Sequence, residues 1–146
     1  MTQSDKTKIH LAYIETSNGP WILIFGSMLS DFSPLISLFD DLSTGKKQYC
    51  ELHSESYIIP HGGIEVTIQS FSNPKRISDL HQTKAESLVF IWNCETEILE
   101  DSVEKIAYLA DASDSGHQYI FSKASCKTLV VVSKGEYTDD IQFLLE

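Results

Sequence analysis

Apolar and polar residues alternate with different periods along this chain, and each change of period marks an element. Ile9–Glu15 and Trp21–Gly26 are extended segments flanking Thr16-Ser-Asn-Gly-Pro20. An Asn-Gly pair between two apolar runs is a strong hairpin signal. The second segment, Trp21-Ile-Leu-Ile-Phe25, is apolar at every position, which predicts a strand covered on both faces. The period then lengthens. Leu35, Ile36, Leu38, Phe39 and Leu42 fall on one helical face, with Ser33 placed to cap the helix and Pro34 suited to its first turn. Gly45 ends that helix, and Lys46-Lys47 lie near its negative C-terminal end.

The middle of the chain reads as strands. Gln48–Leu52 and Tyr57–Ile59 are short, and Pro60-His-Gly-Gly63 turns the chain into Ile64–Ser70. There Ile64, Val66 and Ile68 face one way and Glu65, Thr67 and Gln69 the other, the pattern of a half-buried strand. Residues 72–86 are polar and read as a loop with a short helical turn. Leu88–Trp92 is a buried strand, Glu95–Ala112 a second helix with Gly116 beyond its end, and His117–Phe121 and Thr128–Ser133 two more strands. Asp139–Glu146 reads as a short strand or a helical turn. The order β-β-α-β-β-β-β-α-β-β is rich in hairpins. It predicts an α+β fold: a mainly antiparallel central sheet of five to eight strands with both helices packed on it. No repeat or linker divides the chain, so residues 1–146 are read as a single domain.

Composition adds limits. A chain of 146 residues that is 42% hydrophobic is long enough for its own core, since a domain of this size hides roughly 68–70% of its unfolded surface. The formal net charge of −10 excludes an unassisted nucleic-acid binder, which needs clustered Lys and Arg. No uninterrupted apolar run exceeds five residues, so no membrane span is expected. Met1–Lys8 lacks the apolar core of a signal peptide. The three cysteines, Cys50, Cys94 and Cys126, make an odd count and read as reduced thiols. A cytoplasmic protein is the resulting expectation.

Candidate chemistry is sparse. Neither Gly-x-Gly-x-x-Gly nor the phosphate-loop pattern occurs, and His61-Gly62-Gly63 lacks an accompanying Gly-x-Ser-x-Gly elbow. Cys50-Glu-Leu-His53 has the gap of a metal pair but no second pair to complete a site, and two strand positions three apart point to opposite faces. The sequence therefore supports no catalytic residue, no metal and no cofactor.

One feature is sharper. Between Glu95 and Asp114 lie seven acids and a single base, Lys105, a local net of −6. At about 100° per residue, Glu97, Glu100, Asp101, Glu104 and Asp111 fall within an arc of roughly 100°, opposite Leu99, Val103, Ile106, Leu109 and Ala110. A solvated helix face normally mixes signs at i, i+4, because like charges there repel by a few tenths of a kcal/mol. Glu97/Asp101 and Glu100/Glu104 are both like-charged pairs. Tyr108 falls inside the anionic arc, where a rigid aromatic has the composition of an interface anchor. The candidate partner-binding residues are therefore Glu97, Glu100, Asp101, Glu104, Tyr108 and Asp111, and the partner they fit is basic.

With this acidic helix and no active-site motif, the chain resembles in general character the immunity proteins of bacterial toxin–immunity systems, including contact-dependent growth inhibition. The resemblance implies a binder that neutralises a cognate basic toxin domain, of nuclease type, by covering its active site. It is one of type and carries over no individual residue. A type III secretion chaperone is the alternative, although such chaperones resemble a helix-first order and this chain opens with a hairpin. A small hydrolase would need a cleft with perturbed titratable groups, and His10, His53, His61, His81 and His117 give no choice among themselves.

Overall fold

A computed structural model describes residues 8–73, 75–123 and 126–137 of the chain. Asp139–Glu146, and all but the last residue of Met1–Lys8, lie outside these. The opening hairpin forms as its pattern predicts: β1 (Ile9–Thr16) pairs antiparallel with β2 (Gly19–Gly26). The tight turn, however, has Ser17 and Asn18 at its centre, and Gly19 follows with a φ of 105° that favours glycine. Thr16 pins it, its Oγ1 donating to the Gly19 carbonyl at 2.7 Å and accepting the Asn18 N–H at 3.1 Å.

α1 (Ser33–Thr44) buries Leu35, Leu38, Phe39 and Leu42 and ends at Gly45, whose φ of 84° is left-handed. Ser33 does not cap it. The cap position is Phe32, and the Asp31 carboxylate accepts the Ser33 N–H at 2.9 Å. That bond to the charged form holds the Asp31 carboxyl below its ordinary value. Asp31→Ala is therefore expected to lower stability by about 0.5–1 kcal/mol in urea titrations at neutral pH. Because the folded-state value is depressed, the contribution is present above the ordinary Asp range and is lost as pH falls through the depressed one. Equal midpoints for the two proteins at pH 7 would show that water caps this helix equally well.

The remaining elements are β3 (Tyr49–Glu51), a 3₁₀ turn at Leu52–Ser54, β4 (Ile58–Pro60), β5 (Glu65–Phe71), β6 (Asp79–Gln82), β7 (Val89–Glu95), α2 (Thr96–Asp111), β8 (Gly116–Phe121) and β9 (Leu129–Lys134). They form two sheets, β4-β1-β2-β9-β8 and β3-β5-β7-β6. The broad α+β class holds, but the expected single, mainly antiparallel sheet does not. β1/β4, β2/β9 and β5/β7 pair in parallel, and β1/β2, β3/β5, β6/β7 and β8/β9 pair antiparallel. β2 shows the reason. Its residues Trp21–Gly26 are all buried, and a strand covered on both faces suits a central position beside a distant parallel partner, here β9.

The two sheets share one core with the helices. Tyr13 of β1 stacks on Phe90 of β7 at 5.3 Å, while Trp92 meets Phe39 of α1 at 6.0 Å and Phe121 of β8 at 5.6 Å. α1 and α2 pack on each other, and α2 also touches β7 of one sheet and β8 and β9 of the other. A second apolar cluster, including Ala12, Ile14, Leu23, Phe25 and Val131, occupies the opposite face of the five-stranded sheet. β6 arises inside the segment read from sequence as a loop. Only Leu80 of its four residues is buried, so its composition gives no strand signal, and its pairing to β7 makes it one. Among the described residues, no helix is long and apolar enough to cross a membrane.

Candidate functional site

α2 begins where β7 ends, with Glu95 extended and its N–H donated to Ser78 Oγ at 2.9 Å. Glu97 lies in the first turn, near the positive end of the helix. Leu99, Ile106 and Leu109 are buried and fix the helix rotation, and Ser102 is also buried because its hydroxyl returns to the Ile98 carbonyl at 2.7 Å. This rotation turns Glu97, Glu100, Asp101, Glu104, Tyr108 and Asp111 to the surface together, and all six are exposed. Tyr108 is 73% exposed. The helix register read from the sequence therefore holds.

The charge of this face is strongly anionic, five carboxylates against the single Lys105. Among the described residues, none of its five carboxylates forms an ion pair. Lys105, the single base of the helix, is drawn away, its Nζ donating to the Tyr119 carbonyl of β8 at 2.9 Å. Both like-charged i, i+4 pairs thus stand at the surface without an ion-pair partner among the described residues, although Lys105 lines the same grooves.

Two connected grooves flank this face. One, of about 390 Å³, is lined by Asp101, Glu104, Lys105, Tyr108 and Gln118. The other, of about 400 Å³, shares Asp101 and Lys105 and continues along Tyr119–Lys123 to Ser78. Lys123 bridges its far end, donating to the Ser78 carbonyl at 2.9 Å. The contribution of β8 was not recognised from sequence. Its signal was there: Gly116-His-Gln-Tyr119 is polar or half-exposed on both faces, as an edge strand is.

Three other clusters bear on chemistry. Ser133 Oγ donates to Glu136 Oε1 at 2.6 Å, and Glu136 in turn holds His117 Nδ1 at 3.0 Å. In a nucleophilic triad the imidazole stands between hydroxyl and carboxylate. Here the carboxylate stands between, and Ser133 is fully buried, so no serine proton passes to the imidazole. Cys50 and His53 each have surroundings of their own. His53 Nδ1 accepts the Val66 N–H at 3.0 Å, with Glu51 and Glu65 beside Nε2, and burial pushes the Cys50 thiol up to about 12. His53 sits on the 3₁₀ turn, so its aim is set by that turn and not by the strand alternation assumed from sequence. His10 and His61 stack at 5.0 Å with a 2.8 Å contact between ring nitrogens, and His10 also stacks on Phe25. No group of three metal-ligating side chains occurs among the described residues.

The α2 face, with its grooves, is thus a surface where charge, exposure and an aromatic coincide; another groove, of about 610 Å³, gathers exposed Tyr49 with Lys47, Glu51 and Glu55. Comparison of the chain with protein-family models, with curated proteins and with solved structures returns no match.

Proposed function

We propose that this chain is an immunity-type protein of the cytoplasm that binds a cognate basic toxin domain, of nuclease class, and neutralises it by occupation. The observation that carries this reading is the anionic face of α2, whose carboxylates form no ion pair among the described residues, around exposed Tyr108. A nuclease site holds phosphate with Lys and Arg. Carboxylates arranged along one helix offer those cations an alternative anion, and Tyr108 supplies the apolar contact that excludes water around them. The protein acts by binding alone, with no cofactor and no turnover of its own.

Electrostatic steering gives the test. Association with a cognate basic toxin domain is expected to exceed about 10⁷ M⁻¹s⁻¹ at low salt. The variant carrying Glu100→Lys and Glu104→Lys is expected to associate about tenfold more slowly, because rim charges act chiefly on the on-rate. Its melting temperature is expected to stay near that of the parent, since both side chains are exposed and form no ion pair among the described residues. Stopped-flow fluorescence across a salt series measures this. An on-rate unchanged between about 20 and 500 mM salt would defeat the reading, because the Debye length shortens severalfold over that range.

A further inference from the structure

Among the described residues, β8 ends the five-stranded sheet, and no described strand lies beside its outer edge. The Tyr119 carbonyl lies on that open edge, since its hydrogen bond comes from Lys105 of α2. The two grooves run between this edge and the acidic face, with Asp101, Glu104 and Tyr108 on the helix side and Gln118 and Tyr119 on the strand side. The geometry points to β8 as a docking strand: an extended, basic segment of the partner protein adds to the sheet at this edge, beneath α2. This inference rests on the reading of the α2 face as the interface, and it specifies how the partner is held.

Strand addition draws its affinity from main-chain hydrogen bonds and its specificity from alternate side chains. Alternate side chains of a strand laid on β8 point toward α2, where Asp101 and Glu104 select Lys or Arg and Tyr108 packs on their aliphatic stems. A second copy of this chain does not meet that requirement. It would bring another charge of −10 and its own Asp101 and Glu104 to the junction, and β8 itself carries neither Lys nor Arg. Lys105 is the guard of the edge. Natural sheets blunt open edges with lysine, and this one is exposed and holds the edge through one hydrogen bond, so an incoming strand displaces it readily.

The probe is a phage-displayed library of random ten-residue peptides selected on the immobilised full chain. Enriched peptides are expected to alternate Lys or Arg with β-branched residues and to shift the amide resonances of Gly116–Phe121. N-methylation at alternate peptide residues is expected to weaken binding about tenfold or more, because it removes main-chain donors. Glu104→Lys is expected to weaken it about tenfold, and Lys105→Met, which frees the Tyr119 carbonyl, to tighten it several-fold. A selection without such peptides, shifts confined to other strands, or indifference to N-methylation overturns the proposal. Self-association through β8 would make a second copy the occupant and overturn it equally. The library needs no toxin, so the two readings fail separately. Peptides seated on β8 alongside failed toxin binding would sink the toxin reading alone. Toxin binding that spares the β8 amides would sink the docking strand alone.

Discussion

Replacing Lys134 with Met is expected to lower the stability of this protein by about 3 kcal/mol and its melting temperature by about 10 °C. The reason is the C-terminus of α2. A helix leaves its last carbonyls without intrahelical donors, and they carry the negative end of its dipole. α2 has no basic residue in its last turn, and it is followed by Ala112 in an extended conformation with no glycine to wrap those carbonyls. Lys134, at the end of β9 and only 6% exposed, fills the gap. Its Nζ donates to the carbonyls of Ala112 at 2.6 Å, Ala110 at 2.8 Å and Leu109 at 3.4 Å. Met keeps the length and apolar stem of the side chain but removes every donor, leaving partly buried carbonyls unsatisfied. Lys123→Met is the control, because that lysine makes a single bond to the Ser78 carbonyl. Thermal and urea melts of the two variants decide the matter. Equal small losses would mean that water replaces the Lys134 ammonium and that β9 does not cap α2.

Tyr108→Ala is expected to cost about 2 kcal/mol of partner binding, roughly thirtyfold in affinity, while leaving stability nearly unchanged. The ring stands in the middle of the anionic face and is 73% exposed, so truncating it opens no cavity in the free protein. On binding, it is the largest apolar surface of that face available for burial, and its hydroxyl can pair with a buried donor. Titration calorimetry against the toxin domain, with thermal melts in parallel, separates binding from folding. A stable variant that binds at full strength would move the interface off α2, and with it the immunity reading.

Much of this architecture was legible because it is written in local periods. The 3.6-residue spacing of Leu99, Ile106 and Leu109 set the rotation of α2, and with it the shared exposure of Glu97, Glu100, Asp101, Glu104, Tyr108 and Asp111. The alternation at Ile64–Gln69 set which side of β5 is buried, and the apolar run of β2 announced a strand covered on both faces. Gly45 ended α1 where its freedom at positive φ is needed. These outcomes depend on residues a few positions apart, so the sequence by itself determined them.

Tertiary structure alone decided which strands meet. No period in residues 21–26 or 129–134 states that they lie side by side in parallel, because strand pairing is a choice among distant segments of similar pattern. That choice divided the expected single sheet into two and made a strand of polar Asp79–Gln82. It also left β8, among the described strands, at an edge beside α2, where Lys105 crosses to Tyr119, and brought Lys134 to the end of a helix more than twenty residues earlier in the chain. A side chain's chemical class is readable where it stands in the sequence. The carbonyl it will satisfy is not, because that partner is supplied by a fold whose packing energy is summed over the whole core.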